Sequence, residues 1–336
     1  MKQFAVITML FLLSTLGTAA VWANTDPVAP VTETQKVYVT VGVLDVDAIN
    51  SADQSFTLNL IAQFRWFDPR LAHDGETAIR RQLTEIQAPR FILVNRQRTW
   101  SSLLNVVDIT PEGEALYRMR LWGDFSQIMR LREFPFDSHV FQIPIVAISH
   151  NGATVELLPD PEEESFIAQQ LSVADWKISD WSVETGPLNL IKGGEENGFI
   201  FSFKGARISG HILIKFIIPL FLIVAMSWVV FWIDPAEGSS QLGVAVTAVL
   251  TLIAYHIALS GKLPDISYLT RMDLFLFGST LLVFSSLIEV VTTSRLAIAG
   301  RLQLARWIDV VCRVLFPALY AVVAYLALIA GVGATV

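Results

Sequence analysis

Cysteine and charge are both scarce in this sequence. Its single cysteine, Cys312, excludes an intrachain disulfide and a metal site built from several cysteines. Charged residues make up 16% of the chain and hydrophobic residues 53%, whereas an average soluble domain is about 25% charged. A disordered chain is therefore excluded, and a wholly soluble protein is disfavoured.

An excess of positive charge is also missing, because the 336 residues have a formal net charge of −7. This balance disfavours a nucleic-acid binder. The charges are unevenly spread: residues 207–336 hold 8 basic and 6 acidic side chains, and residues 1–206 hold the other 16 and 25. The split predicts a water-exposed domain at 24–206 and a membrane domain at 207–336.

Signatures of catalysis are absent as well. The sequence has no Gly-x-Ser-x-Gly motif, no cluster of metal ligands and no phosphate-binding loop. We therefore expect no enzymatic activity, no cofactor and no metal site. It also has no Asn-x-Ser/Thr acceptor, so N-glycosylation is not expected.

The amino terminus has the pattern of a secretory signal peptide. Lys2 provides a positive charge, Phe4 to Leu16 is apolar, and small residues precede Asn24. We expect residues 1–23 to be removed; an uncleaved membrane anchor is the alternative. Under either interpretation the residues after Asn24 are exported.

Alternating apolar residues predict strands in the exported part. Val37, Val39, Val41 and Val43 are spaced two apart, which is typical of a strand with one buried face. Turn residues separate further strand-like runs, and a short helix is predicted at 78–85. The other predicted strands are 56–66, 90–95, 115–121, 140–148, 154–158, 176–184 and 199–204. The pattern predicts an all-β sandwich of immunoglobulin-like type.

Four long apolar segments follow, at about 211–233, 239–261, 268–292 and 307–332. Each is near the length that spans a bilayer. The loop before the fourth segment contains Arg295, Arg301 and Arg306 and no acidic residue. The positive-inside rule places that loop in the cytoplasm and the sandwich outside.

The second apolar segment carries a stripe of small and apolar residues. Steps of three and four place the stripe on one helix face; its members are Gly243, Thr247, Leu250, Ala254, Ile257 and Gly261. Several copies around an axis would enclose a pore, which Leu250 and Ile257 would constrict by dewetting. Tight helix–helix packing through the small residues is the alternative.

Several motifs, in this order, resemble one family. They are Trp66-Phe67-Asp68-Pro69-Arg70, Glu133-Phe134-Pro135-Phe136-Asp137, Arg207, Ile218-Pro219-Leu220, Ser227-Trp228-Val229-Val230-Phe231-Trp232 and Leu263-Pro264. From about residue 37 onward, the chain resembles the pentameric ligand-gated ion channels, in the bacterial branch of the Cys-loop receptor superfamily. The resemblance implies a homopentamer in the bacterial inner membrane, with a sandwich above a four-helix bundle and a pore lined by the second span. The superfamily's namesake disulfide is absent, since its positions fall near Gln127 and Phe141.

The resemblance also implies a gating interface where the two domains meet. Its matching residues are Asp53, Phe134, Pro135, Phe136, Asp137, Arg207, Lys262, Leu263 and Pro264. We expect Arg207 to pair with Asp137 or Asp53, because a buried arginine without a partner is costly. A purely structural ion pair is the alternative role.

The ligand site is where the sequence departs from the family pattern. Amine-binding members use an aromatic cage, but this chain has aliphatic residues in the matching segment 145–148. The remaining candidates are Arg65, Arg120, Ile148, His150 and Phe199. Protons are therefore the expected agonist, with either direction of pH dependence, and a small carboxylate held by Arg65 or Arg120 is the alternative. Protons would act on acidic clusters, where like charges raise some carboxylate pKa values, or on the histidines. The acidic candidates are Asp160, Glu162, Glu163, Glu164, Glu195 and Glu196, and the histidines are His73, His139, His150, His211 and His256.

Glu237 and Asp234 lie near the inner end of the second span. Acidic rings there predict a channel for monovalent cations. The expected partners are other copies of the chain, membrane lipid, the permeant cations, and a small ligand or protons. A non-conducting membrane receptor is the alternative function.

Overall fold

The computed structural model describes residues 34–148, 154–191, 194–260 and 266–330. A β-sandwich forms the first part and four long helices form the second, so the predicted fold class is confirmed. The strands are β1 Gln35–Asn50, β2 Ser55–Phe67, β3 Ile79–Gln82, β4 Arg90–Leu93, β5 Arg96–Ser101, β6 Val106–Ile109, β7 Glu114–Ser126, β8 Ser138–Ile148, β9 Val155–Pro159, β10 Phe166–Ile167, β11 Trp176–Ile191 and β12 Gly194–Arg207.

Two sheets form the sandwich. The larger has the order β10-β1-β2-β7-β6-β3, with β5 also paired to β7 and β9 to β1, and the smaller has the order β11-β12-β8-β4. Strand β2 alternates strictly between buried and more exposed residues, so its even-numbered side chains face the core. There Phe56 lies 5.1 Å from Phe141 of the opposing sheet, between ring centroids.

The helix predicted at 78–85 is wrong. Residues Ile79–Gln82 form strand β3, which pairs with β6, and Leu83–Glu85 form a single 3-10 turn. Arg80, Arg81 and Gln82 are exposed, so β3 lacks the alternation that marks a half-buried strand. Pairing with β6 decides its conformation, and the local sequence does not encode that partner.

The helices are α1 Gly210–Trp228, α2 Gly238–Ser260, α3 Arg271–Ile298 and α4 Leu302–Ala324. A 3-10 turn extends α1 to Trp232, and a π-helical turn extends α4 to Ile329. Each of the four segments is long and apolar enough to cross a membrane, judged by length and composition. Thr270 and Asp273 form a capping box that fixes the start of α3.

Helix α2 packs against α1 and α3. The residues that it buries are Gln241, Ala245, Ala248, Val249, Leu252 and Leu259. Gln241 is fully buried, and its Nε2 donates to the carbonyl oxygens of Val230 and Ile233, at 3.2 and 2.9 Å. These bonds join the base of α2 to the end of the α1 segment, which fixes how α2 is rotated about its axis.

Candidate functional sites

A buried ion pair lies where the sandwich meets the helices. Arg207 ends β12, and its Nε and Nη2 donate to the two carboxylate oxygens of Asp137 at 2.7 and 2.9 Å. The two side chains are 8% and 1% exposed. Nη2 also donates to the Oγ of Ser51 at 2.6 Å. A bidentate, water-shielded pair of this kind has a defined geometry as well as a strong interaction.

Two aromatic rings lie against the same guanidinium. The Cζ of Arg207 lies 4.2 Å from the ring centroid of Trp176 and 4.9 Å from that of Phe134. Because aromatic faces attract cations, both rings favour the charged arginine in this position. Trp176 starts β11 and was not among the residues predicted for the junction.

Asp137 stays charged well into the acidic range. Burial alone would raise the pKa of its carboxyl, but hydrogen bonds from His139 and Arg207, and the charge of Arg207, outweigh burial and hold the pKa at about 2. The Nε2 of His139 lies 2.8 Å from Asp137 Oδ2. The pair therefore keeps its charges throughout the range in which histidines titrate.

Asp53 does not contact Arg207. Its carboxylate accepts a hydrogen bond from Asn50 Nδ2 at 2.6 Å, within the turn that joins β1 to β2. In that turn Gln54 has a φ of 51°. Its Oε1 accepts from the backbone N–H of Met129 at 2.5 Å. Of the two carboxylates predicted to pair with Arg207, the structure therefore brings only Asp137 to it.

The loop between β7 and β8 contacts the start of α3. Arg271 forms an ion pair with Glu133, donates its backbone N–H to the carbonyl of Arg132 at 3.1 Å, and lies 5.8 Å from the ring of Phe136. The hydroxyl of Tyr268 accepts from the backbone N–H of Leu131 at 2.8 Å. Sequence analysis missed Tyr268 and Arg271, because only the fold brings them to this loop.

Pro135 follows Phe134 through a cis peptide bond in the same loop. Phe134 is buried beneath Arg207, whereas Phe136 is partly exposed. Five predicted site residues lie outside the described part of the chain: His150, Gly261, Lys262, Leu263 and Pro264.

The described members of the α2 stripe all lie on the face that points away from its own bundle. Leu250 and Ile257 are 61% and 71% exposed, and Gly243 has open space where a Cβ would be. Thr247 and Ala254 are exposed too. The Thr247 hydroxyl donates to the carbonyl of Gly243 at 2.7 Å, which leaves its oxygen lone pairs facing outward.

The two acidic residues at the inner end of α2 differ in their surroundings. Asp234 accepts from Arg306 Nη2 at 2.6 Å and caps the turn that precedes α2. A hydrogen bond from the backbone N–H of Ala236 lowers the pKa of the Asp234 carboxyl, and a weaker contribution from Arg306 acts in the same direction. Glu237 is exposed and has no ion pair within the described residues. Glu237 is therefore the acidic group here whose charge is not offset by a neighbour.

The arginine candidates for a ligand site fall into two groups. Arg65 contacts Asp160 at 2.6 Å, Glu162 at 2.8 Å and Glu114 at 3.1 Å. Burial would raise the pKa of Asp160, but the hydrogen bond from Arg65 lowers it overall. The expectation that like charges raise carboxylate pKa values is therefore wrong for Asp160, because Arg65 lies among the acids.

Arg120 has no carboxylate partner among the described residues. It is exposed on β7, and its Nε reaches only the Oδ1 of Asn59, at 3.4 Å. Two residues further along the strand, Trp122 is 46% exposed and its ring lies 4.9 Å from that of Trp100. Alternation places Arg120 and Trp122 on one face, so a cation lies beside an open aromatic surface.

The remaining ligand candidates lie apart from Arg120. Phe199 is fully buried in the sandwich core and so lines no surface site within one protomer. Ile148 is 40% exposed at the end of β8, in the other sheet. Trp100 and Trp122 were missed because their exposure depends on how β5 pairs with β7.

The described histidines have separate partners. The Nε2 atoms of His73 and His256 lie 3.2 Å from the carbonyl of Ile109 and 3.1 Å from the Thr280 hydroxyl. His211 lies 3.5 Å from Asp175. His256 therefore contacts α3 and is directed away from the exposed stripe of α2.

Comparisons with known proteins agree with this arrangement. Residues 22–192 match the family model described as the neurotransmitter-gated ion-channel ligand binding domain. Residues 216–301 match the model described as the neurotransmitter-gated ion-channel transmembrane region. Both models describe parts of ion channels.

Two curated relatives are gamma-aminobutyric acid receptor subunits rho-3. The Homo sapiens protein is 26% identical over 263 residues, which cover 75% of this chain and 56% of the relative. The Rattus norvegicus protein is 24% identical, with coverages of 75% and 57%. The chain thus spans just over half the length of the curated relatives that it matches.

Proposed function

The chain belongs to the neurotransmitter-gated ion-channel family, and on that premise we propose that five copies form a homopentameric channel opened by an extracellular ligand. The observation that carries the proposal is the bare face of α2. One side of this helix packs into the bundle, while Gly243, Thr247, Leu250, Ala254 and Ile257 face outward. Five such faces around one axis would enclose a water-filled path, with the α2 helices as its wall.

The sequence of this face supports a gate in its outer half. Gly243 and Thr247 are small or polar and leave the inner half open to water. Leu250 and Ile257 project branched apolar side chains, and five copies of each would form rings that exclude water when narrow. Opening then requires only a modest widening at these two levels.

Charge supports selection of cations. Residues 235–260 contain no lysine or arginine. Glu237 is exposed and unpaired within the described chain, whereas Arg306 offsets Asp234. Five Glu237 carboxylates at the inner mouth would concentrate cations and repel anions.

The junction supplies a route from ligand to gate. Arg207 is three residues before α1, and Arg271 is the first residue of α3. Both bind the loop between β7 and β8, through Asp137 and Glu133. A shift of this loop would therefore move the outer ends of two helices that pack around α2.

We infer that the ligand carries a carboxylate. The guanidinium of Arg65 already pairs with acidic side chains. By contrast, the guanidinium of Arg120 has no carboxylate partner among the described residues and lies beside Trp122 and Trp100. A carboxylate would pair with the guanidinium while its body packs on the indole rings. The names of both curated relatives refer to gamma-aminobutyric acid, which also carries a carboxylate.

We place the channel in a bacterial inner membrane with the sandwich outside. The signal-like amino terminus, the absence of an N-glycosylation acceptor, and the missing cysteine pair around the Phe-Pro-Phe-Asp loop support this assignment. Membrane fractionation, combined with protease digestion of the sandwich from the outer side, tests both parts.

Recording from the full chain in planar bilayers tests the channel and its ligand. We expect short carboxylates and amino acids to evoke a current, and Arg120→Gln to raise the half-activating concentration by about tenfold or more. Arg98→Gln is the matched control, because Arg98 is an exposed arginine on the adjacent strand. Ligand binding without current would instead support the non-conducting receptor. A protein that responds to no carboxylate and no pH step contradicts the proposal.

A further inference from the structure

Two carboxyl groups face each other inside the helical bundle. Helices α3 and α4 pack against each other and bring Glu289 of α3 and Asp309 of α4 close together. Both carboxylate oxygens of Glu289, and Oδ1 of Asp309, are shielded from solvent and receive no hydrogen bond from the described residues. Asp309 is 2% exposed. Two buried carboxylates in contact cannot both remain charged without a compensating proton or cation.

The charged groups around the pair provide one positive charge. Arg313 is one turn beyond Asp309 in α4, where its Nε donates to the carbonyl of Phe231 at 2.9 Å. Asp234 also faces Asp309, but its ion pair with Arg306 leaves no net charge. The last titratable neighbour, Cys312, is a buried thiol. One arginine against two carboxylates leaves a single negative charge unbalanced.

Helix α2 contributes one side chain to the same cluster. Gln241 of α2 is fully buried and close to Asp309. Its Nε2 donates to the carbonyls of Val230 and Ile233, and its Oε1 receives no hydrogen bond from the described residues. Side chains of three helices therefore meet here, and three buried carboxylate oxygens of Glu289 and Asp309 lack a hydrogen-bond donor, which one bound proton would supply.

We propose that Glu289 and Asp309 together bind one proton, and that this proton couples pH to the base of the pore helix. The proton joins the two carboxyl groups in one O–H···O hydrogen bond and, with Arg313, makes the cluster neutral. It enters from and leaves to water, and no other bond changes. Its loss places a second negative charge beside the Gln241 side chain, whose Nε2 bonds to Val230 and Ile233 hold the base of α2. This coupling rests on the proposed channel function, whereas the binding of the proton does not.

Infrared spectroscopy on the full chain in bilayers tests the proton directly. We expect the carbonyl stretch of a protonated carboxyl at about pH 7, with a shift in heavy water. The band should be lost in Glu289→Gln and in Asp309→Asn, and retained in the control Glu85→Gln, which alters an exposed acid of the sandwich. If both variants fail to fold, the wild-type band alone decides. A wild type without the band overturns the proposal. A stability of the wild type that rises steeply with added sodium or calcium also overturns it, because a cation would then balance the carboxylates instead of a proton.

Current recordings test the coupling. We expect the ratio of ligand-evoked currents at about pH 5 and about pH 9 to fall by at least about threefold in either variant. A band lost in both variants with an unchanged current ratio would overturn the coupling. A wild type that carries no current under any condition would contradict the proposed channel, and the infrared result would still decide whether the proton is bound.

Discussion

Arg207 shows how one residue links the two domains. It belongs to the last strand of the sandwich, is held by Asp137 from the β7–β8 loop, and precedes α1 by three residues. Removing the charge of either partner leaves the other buried and unpaired, which is more costly than losing an exposed ion pair.

Replacing Asp137 with asparagine should therefore weaken both folding and opening. We expect the free energy of unfolding to fall by about 3 kcal/mol, because Arg207 stays buried without its counter-charge. The ligand concentration for half-activation should rise as well. Chemical unfolding and current recording measure the two effects. Asp53→Asn is the matched control, since within the described part of the chain the hydrogen bonds of Asp53 stay inside its own turn. Equal losses in both variants would contradict the role of the pair.

The low pKa of Asp137 predicts where acid destabilises the sandwich. Its pKa is about 2 in the folded protein and about 3.9 in the unfolded chain. The stabilisation from the pair is therefore present above about pH 4 and is lost as pH falls towards about 2, on the order of 2 kcal/mol in total. Melting temperatures measured against pH should show this loss in wild type but not in Asp137→Asn. A loss between about pH 5 and about pH 8 that Asp137→Asn abolishes would contradict the assignment.

Sequence alone narrows the partner of Arg207 to two carboxylates, and geometry selects between them. The structure excludes Asp53 as the partner of Arg207, because the Asp53 carboxylate binds Asn50 within its own turn. The sequence does not reveal this local contact. The acids around Arg65 include Asp160, which is 95 positions away in sequence. No spacing rule predicts that contact, because it depends on β9 pairing with β1.

At the scale of elements, helix α2 is the best-predicted part of the site. A period of three and four residues identifies its stripe, and the structure places the described members on one exposed face. By contrast, the short strands β3, β5 and β10 were missed, because they lie at sheet edges and lack apolar alternation. Strand β6 was also missed, because its four residues are too few to give a clear period. The facing of Glu289 and Asp309 was also missed, since one acid on each of two helices gives no periodic signal.

Leu250 of α2 is expected to form the constriction that controls opening. Leu250→Ser should wet the proposed constriction and lower the half-activating ligand concentration by about tenfold, which is about 1.4 kcal/mol. Recordings at several ligand concentrations measure this shift. Ile253→Ser is the matched control, because Ile253 is exposed but lies about 80° from the centre of the stripe on a helical projection. An unchanged response in Leu250→Ser, or an equal shift in the control, would count against Leu250 as a gate.

At the scale of the whole molecule, selectivity depends on charge summed over five copies. Glu237→Gln should lower the permeability ratio of cations to anions by about threefold or more, because five charges are lost at the inner mouth. Reversal potentials in asymmetric salt measure this ratio. The double variant Asp234→Asn with Arg306→Gln is the control, because it removes a neutral pair. An unchanged permeability ratio in Glu237→Gln would contradict a selective ring of Glu237 carboxylates.

The central claim is that the stripe of α2 faces water around a shared axis, and cysteine accessibility tests it most directly. In a Cys312→Ala background, single cysteines are introduced along α2 and treated with a charged, water-soluble thiol reagent during current recording. Cysteines at Gly243, Thr247, Leu250, Ala254 and Ile257 should react and change the current at least about tenfold faster than one at Val314, which is equally exposed on α4. Equal rates at Val314 and along the stripe, or no effect on current at any stripe position, would contradict the pore.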